Sequence, residues 1–533
     1  MAGYNYLDVN PKLDKWITDT ETGALIGVRQ CQEKTLTVWN ISNSTPGVFT
    51  SSQLATALTD ETGSGAAVFA TSPTLVTPTL GVATATSVQG IIGNVTPASG
   101  SFTALTSTTS TTLASEAVAL TTNNLPTVRP TLLLDFANSK SVDPRITFTR
   151  ASTATRCNDK GLIETVVSGA PRIDYDPVTL ACKGLLIEES RTNLLTYSAQ
   201  FDNAAWTKSN CTVTANAATA PDGATTADTL VENTSNAAHF VQQGPITTVG
   251  TTTYTASVFA KAGTRTKFEF LAYIGSVPYN IGFDLSNGTT FASTLGGNTA
   301  TSYSITAVGG GWYRCKITQT ADATATSYFR CALNNGTVST YTGDGTSGIY
   351  IWGAQLEAGS FPTSYIPTTS AQVTRAADTA TMTGANFSSW YRQDEGTVVV
   401  HADASNGGSI YPRLWCVSDG TQNNFMQVFV SDSLNALATE TSVAGVAQTM
   451  PASFASYTGE SCKAVLAIIA GNTNFSKDGA IKTDANTVSI PTVSRLNIGS
   501  DAVSGSQLNG HISKLYYYPT RLANSTLQAL STP

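Results

Sequence analysis

Cleaving a glycosidic bond takes two carboxylates about 5–9.5 Å apart, one on each side of the bond. Concanavalin-like hydrolases set such groups at alternate positions of one strand, and this chain holds no Glu-x-Asp-x-x-Glu run. Asp394 and Glu395 are adjacent, so on a strand they point to opposite faces. Asp174 and Asp176 alternate correctly, but they stand just before Pro177, in a turn context. A Ser-His-Asp system has only His239, His401 and His511 to draw on, and no Gly-x-Ser-x-Gly elbow for them to serve. His401 reads as a half-buried strand residue and His511 as a turn-edge residue. Gly309-Gly310-Gly311 lacks the Lys-Ser or Lys-Thr that completes a phosphate loop. Gly343-Asp344-Gly345 and Ser418-Asp419-Gly420 carry turn chemistry without the spacing of a calcium loop. The cysteines at 31, 157, 182, 211, 315, 331, 416 and 462 are scattered, with no Cys-x-x-Cys, and read as buried free thiols rather than zinc ligands. The residues therefore predict a protein that is not an enzyme, with no metal and no cofactor.

Binding a sugar needs less: a flat ring to stack on a pyranose face and polar groups to orient it. Trp206, Trp312, Trp352, Trp390 and Trp415 are the candidate platforms, and strand alternation separates them. In Trp312-Tyr313-Arg314-Cys315-Lys316-Ile317 one face carries Trp312, Arg314 and Lys316. In Tyr328-Phe329-Arg330-Cys331 the corresponding face carries Tyr328 and Arg330. Both faces of Tyr350-Ile351-Trp352 are apolar, which assigns Trp352 to a core. If the two strands pair, Trp312, Arg314, Lys316, Tyr328 and Arg330 form an aromatic and basic patch on an acidic protein. Guanidinium forks hold carboxylates bidentately, so such a patch suits an acidic sugar. The competing expectation is that the patch packs against a neighbouring chain.

The elements that must carry these residues are strands. Short alternating runs recur between Gly, Asn and Asp turns at Tyr254–Ala260, Lys267–Leu271, Trp312–Ile317, Tyr328–Leu333 and Ile349–Leu356, a spacing that predicts an antiparallel sandwich. The same texture continues over about 390–533, with Lys477-Asp478-Gly479-Ala480 as a tight hairpin and a short helix at Ser525–Leu530. Leu36–Ile41 reads as a further strand. From Thr62 to Ser115 there is no charged residue, only Thr, Ser, Ala, Gly and Val with apolar bursts such as Val68-Phe69 and Ile91-Ile92. Such a segment cannot enclose a core alone, but identical chains wound about one axis could bring the bursts together. Across all 533 residues only 12% are charged, about half the usual share, so surfaces must be made polar by Thr, Ser and Asn. A net charge of −7 argues against nucleic-acid binding, which needs a basic stripe. The N-terminus shows no signal peptide, and no run of about 18 apolar residues suggests membrane insertion.

Two sets of residues resemble a known family. Val68-Phe69-Ala70-Thr71-Ser72-Pro73-Thr74-Leu75 and Ile92-Gly93-Asn94-Val95-Thr96-Pro97 resemble the repeats of bacteriophage tail-fibre shafts. An ordered block resembles bacteriophage fibre and head-spike proteins. It comprises Phe148-Thr149-Arg150-Ala151-Ser152, Gly161-Leu162-Ile163-Glu164, Pro171-Arg172-Ile173-Asp174, Gly184-Leu185-Leu186-Ile187-Glu188 and Arg191-Thr192-Asn193-Leu194. In that family the block leads into a sandwich resembling carbohydrate-binding modules, whose far end is similar to Gly348–Glu357. The closing Leu508–Pro519 is similar to the last strand of concanavalin-like and laminin-G-like jelly rolls.

The resemblance implies an all-β, elongated trimeric fibre in which a thin β-structured shaft precedes two β-sandwich (jelly-roll) domains. The expected division is 1–45 for particle attachment, 46–128 for the shaft, 129–385 for the block and its sandwich, and 386–533 for the terminal sandwich. The implied protein belongs to the virion and is made in the host cytoplasm. Its partners would be two further copies of itself, another virion protein at the N-terminal segment, and a host-surface polysaccharide, with no nucleic acid and no membrane. The expected task is adhesion without bond cleavage. The alternatives are a structural head fibre without a receptor, and a depolymerase whose carboxylates meet from different strands or chains.

Overall fold

The computed structural model describes residues 128–533 apart from 301, 405–410, 432–435, 449, 452, 456, 458–460 and 485–487, together with the backbone of four N-terminal strands. The chain divides into two compact units, Met1–Thr109 and Ser110–Pro533. In the first, Leu13–Thr18, Leu25–Gln30, Leu36–Asn40 and Thr45–Gly47 form an antiparallel meander. The strand expected at Leu36–Ile41 is among them. The uncharged segment 62–115 lies outside the described residues, and with it the basis for the trimer.

In the second unit, alternating apolar residues build two sandwiches. The central one has sheet I, in the order Thr207–Ser209, Phe240–Thr248, Ala325–Asn334, Lys267–Ile274, Val277–Asp284 and Thr289–Phe291. Against it lies sheet II, in the order Cys211–Thr219, Thr225–Glu232, Gly348–Ala358, Thr253–Lys261, Trp312–Thr320 and Ser302–Ala307. Phe268, Phe270, Ala272 and Ile274 show the period-two logic: every second side chain of their strand enters the core shared with Cys315, Ile317, Phe329 and Cys331. The predicted antiparallel sandwich is thus present. All seven described cysteines are free, as expected, but only Cys315, Cys331, Cys416 and Cys462 are buried; Cys157, Cys182 and Cys211 are partly exposed.

The terminal sandwich pairs two eight-stranded sheets. Sheet III is centred on Glu395–Ala404 and Gly510–Tyr518; sheet IV is centred on Arg413–Ser418 and Arg495–Ile498. Lys477–Ala480 closes a hairpin in which Asp478 and Gly479 both have positive φ, as a type I′ turn requires. The helix appears as Asn524–Ser531, burying Leu527.

The boundary expected at 385/386 does not coincide with the sheets. Leu132–Asp135 and Cys182–Ile187 both pair with Gly510–Tyr518, and Thr147–Thr149 pairs with Thr379–Thr383. Leu132, Leu134, Leu185 and Ile187 share a core with Leu515 and Tyr517. The chain therefore begins the terminal sandwich, departs to build the central one, and returns to finish the first. The physical reason is that Leu132–Asp135 and Cys182–Ile187 each have ladder groups and an apolar face to cover, and strand Gly510–Tyr518 satisfies both.

The charged residues of the fibre-like block meet where the chain leaves and re-enters. Arg172 bonds Glu188 at 2.7 Å and also Asp378; Arg150 bonds Asp378 at 3.1 Å; Arg375 bonds Glu188. The Ser364 hydroxyl donates to Glu188 at 2.7 Å. Burial alone would raise the Glu188 carboxyl, but Arg375 and Arg172 outweigh it and hold it well below the usual carboxylate range. Asn193 takes four hydrogen bonds beside this cluster, donating to the carbonyls of Ala354 and Ile366 and accepting from the amides of Leu195 and Leu356. Gly184 is required by close approach, because a Cβ there would collide with the Ile512 carbonyl. The most specific motif in the sequence is thus the joint between two sandwiches.

Candidate functional site

The five residues expected to form one patch fall on two different sheets. Strand Trp312–Thr320 pairs with Thr253–Lys261 and Ser302–Ala307 in sheet II, whereas Ala325–Asn334 pairs with Phe240–Thr248 and Lys267–Ile274 in sheet I. Alternation correctly turned both sets of side chains away from the core, but the outer faces of a sandwich look in opposite directions. Trp312, Arg314 and Lys316 are therefore separated from Tyr328 and Arg330.

The sheet II half of the set is packed within the chain. Trp312 is 3% exposed, joins Phe259, Trp352 and Tyr365 in a small cluster, and donates its indole N–H to the Thr219 carbonyl at 3.1 Å. The Arg314 guanidinium lies over the Phe259 ring at 5.3 Å and donates to the Ser257 hydroxyl at 3.2 Å. Burial lowers the pKa of Lys316, and the neighbouring Arg314 lowers it further. Trp206, Trp352, Trp390 and Trp415 are buried as well, so none of the five candidate tryptophans offers a free ring.

The sheet I half keeps an open face. Arg330 stands between Gln242 and Leu271 on the adjacent strands, and one row further along Tyr328 stands opposite Tyr273. Arg330 stacks over the Phe240 ring at 3.9 Å and donates Nε–H to the Gln242 side-chain oxygen at 2.8 Å. Tyr273 and Tyr328 meet edge to face with centroids 5.8 Å apart. Gly244 makes this possible, since any Cβ there would run into the Tyr328 ring. Partial burial lowers the pKa of Arg330, and the neighbouring Tyr273 opposes that shift. No carboxylate among the described residues pairs with this guanidinium, and both Nη groups remain for a ligand.

The edge of the face is set by a strap. Glu269 receives the Ser293 hydroxyl, the Thr294 amide at 2.9 Å, the Thr294 hydroxyl at 2.6 Å, the Leu295 amide at 2.9 Å and the Asn334 amide nitrogen at 2.7 Å. Residues 293–295 are thereby tied over one end of sheet I, while Phe240, Gln242, Tyr273, Tyr328 and Arg330 stay half-exposed. Sequence reasoning missed Phe240, Gln242 and Tyr273. The signal for Tyr273 was present, because it shares the outward phase of Lys267 and Glu269 on its strand.

The carboxylates weighed for catalysis are engaged elsewhere. Asp176 caps a turn, accepting from the Val178 and Thr179 amides. Asp394 pairs with Arg392, and Glu395 accepts from the Thr520 hydroxyl and the Arg521 amide. Asp174 lies 2.8 Å from His511 Nε2, and Asp403 lies 2.9 Å from His511 Nδ1. His511 is therefore a buried member of the strand Gly510–Tyr518 rather than a turn-edge residue. His401 is half-buried on its strand, as expected; burial, with Lys463 and Lys514, brings its pKa down to about 4. Among the described residues no group of three His, Cys, Asp or Glu side chains could hold a metal ion, and no helix is long and apolar enough to cross a membrane.

The His511 clamp has a pH consequence. Burial lowers the imidazole's pKa, but Asp403 and Asp174 outweigh it and raise the folded value to about 9 from 6.5. A folded pKa above the unfolded one contributes stability that is complete below about pH 6.5 and is lost as pH rises through about 9. Urea unfolding of the wild type should therefore show falling stability across that window, and His511→Gln should flatten the slope. Equal slopes for the two proteins would remove His511 as the cause.

No family model and no curated protein matches the chain. Solved structures similar to it include the Ruminococcus gnavus IT-sialidase CBM40 bound to alpha2,3 sialyllactose, at 16% identity and a TM-score of 0.24, covering 27% of this chain and 84% of that one. The same module bound to alpha2,6 sialyllactose is similar at 19% identity and a TM-score of 0.23, covering 26% and 84%. Mouse laminin alpha1 domains LG4-5 are similar at 11% identity and a TM-score of 0.15, covering 52% and 84%. At TM-scores this low the likenesses carry no argument about function, which rests on the chain's own residues.

Proposed function

We infer that the protein is a non-catalytic adhesin that holds an acidic glycan on the outer face of sheet I. The observation that carries this is Arg330, a half-buried guanidinium without a carboxylate, fixed by Phe240 and Gln242 beside two tyrosines. A fixed fork with free Nη groups binds a carboxylate bidentately at little entropic cost. Tyr273 and Tyr328 supply ring edges and hydroxyls for the sugar, in the role first assigned to tryptophan. Arg330→Ala should weaken binding of an acidic polysaccharide by about 1.5–3 kcal/mol, roughly tenfold to a hundredfold, with the melting temperature unchanged. Glycan-array or calorimetric binding of wild type and variant decides it; equal affinities, or equal affinity for neutral glycans, would sink the reading.

The place of this adhesin follows from the sequence resemblance alone. The fibre-like repeats and block support a trimeric virion fibre, anchored by residues 1–45, whose three weak sites act together through effective concentration. Mass photometry tests the trimer, and imaging of labelled protein on particles tests the location. Reducing-sugar release from the bound polysaccharide would favour a depolymerase instead.

A further inference from the structure

The terminal sandwich holds a second constellation that neither the fold nor the sheet I face uses. A cavity of about 490 Å³ opens between the single helical turn Ala385–Ser388 and the start of strand Arg495–Ile498. That volume lies within the roughly 300–1,000 Å³ of small-molecule sites. Its floor is apolar, formed by the buried Phe387 and Val493. Phe387 stacks on Tyr391 at 4.6 Å and Tyr391 on Tyr517 at 5.2 Å, both at 27°, so this wall is a rigid pile of rings. Both faces of Tyr391 are covered, which leaves recognition to polar groups rather than to stacking.

Three of those polar groups are hydroxyls and one is an amide. The side chains of Thr383, Ser388 and Ser494 line the cavity from exposed positions, and none has a hydrogen bond among the described residues. The Gln393 amide nitrogen donates to the Pro491 carbonyl at 2.6 Å, and among the described residues its oxygen is engaged only by the Val493 amide at 3.5 Å. Arg495 is set by ladder pairing with Thr383 on one side and Ser418 on the other. It is half-buried, and its guanidinium has no hydrogen bond or ion pair among the described residues. Of the eight other partly buried arginines of this unit, four have an acid: Arg145 has Asp143, Arg156 has Glu164, Arg191 has Glu189 and Arg265 has Glu232.

We propose that this cavity is a second ligand site, which takes a monosaccharide unit bearing a carboxylate, with Arg495 holding the carboxylate and Gln393, Ser388 and Ser494 reading the hydroxyls. A cation with no internal anion supplies the charge complement, and three hydroxyls with an amide match a polyol that also brings donors and acceptors. A neutral sugar would leave the guanidinium unmatched and bind more weakly.

The test uses the full chain carrying Arg330→Ala, so that the sheet I face cannot contribute. Sodium glucuronate and methyl glucoside are titrated by calorimetry and by saturation-transfer NMR. Glucuronate should bind with a millimolar Kd, and methyl glucoside about tenfold more weakly or worse. Adding Arg495→Ala should abolish glucuronate binding, and Ser494→Trp, which fills the cavity without removing the charge, should do the same. Circular dichroism melts confirm folding, and Ser494→Trp carries the test if Arg495→Ala does not fold. Overturning results are no saturation by glucuronate at about 10 mM, or unchanged binding in the two cavity variants. Loss of all glucuronate binding on Arg330→Ala alone would end this proposal while leaving the sheet I reading in place.

Discussion

Asp378→Ala should lower the unfolding free energy of the second unit by about 3–5 kcal/mol, the range for removing one partner of a buried ion pair. Asp378 is fully buried and accepts from Arg150 at 3.1 Å, from Arg172 and from the Glu188 amide at 2.9 Å. Its removal leaves Arg150 without its acid, and Arg172 with only Glu188, which Arg375 also binds. Carbonyls already take part of the load: Arg150 donates to Ser152 and Val167, and Arg172 to Thr155. They carry partial charges and cannot replace an anion. The cluster ties the block to strand Thr379–Thr383 at the crossing between the sandwiches, so both should loosen together. Guanidinium unfolding followed by tryptophan fluorescence measures the loss. Asp394→Ala, which breaks an exposed pair with Arg392, is the control and should change little. A loss below about 1 kcal/mol for Asp378→Ala would mean that the buried charges are compensated by water or relaxation.

Trp312→Ala should cost the central sandwich about 3–5 kcal/mol, the usual range for deleting a large aromatic from a packed site. That corresponds to a fall of about 10 °C in melting temperature for a domain of this size. Trp312 fills the space between Phe259, Trp352 and Tyr365, and its indole N–H donates to the Thr219 carbonyl. Affinity of the folded fraction for an acidic glycan should not move, because Arg330 is on the opposite outer face. The pattern that would restore Trp312 as a ligand platform is the reverse one: an unchanged melting curve with binding lost. Measured beside Arg330→Ala, it separates packing from recognition in one pair of proteins.

Much of the local structure was legible in the residues. Lys267–Ile274 reads as a strand because apolar and polar side chains alternate, and the same alternation states that Phe268 and Phe270 go inward while Tyr273 goes outward. Asp478-Gly479 dictates a type I′ hairpin, because both residues tolerate positive φ where most others are strained. The lack of a clustered thiol or imidazole set was equally plain. These are properties of a few consecutive residues, and a period of two needs no partner to be read.

What alternation does not carry is the identity of the partner strand. Only Ala321–Thr324 separate Thr320 from Ala325, a length that suits a hairpin, yet the chain crosses from sheet II to sheet I. Trp312 and Arg330 were each correctly assigned to an outward face, and still ended on opposite faces of the central sandwich. The same limit hid the joint: Leu132–Asp135 finds its place only against Lys514–Tyr517, far along the chain. Arg150, Arg172, Glu188, Arg375 and Asp378 look like surface residues one at a time and become a closed, buried cluster only when both sandwiches are assembled. Strand phase and turn type are local steric and solvation effects, so the sequence by itself determined them. Strand pairing, and therefore which polar side chains are buried, matched or left free for a ligand, is settled by long-range burial of apolar faces and ladder groups, and only the tertiary structure decided it.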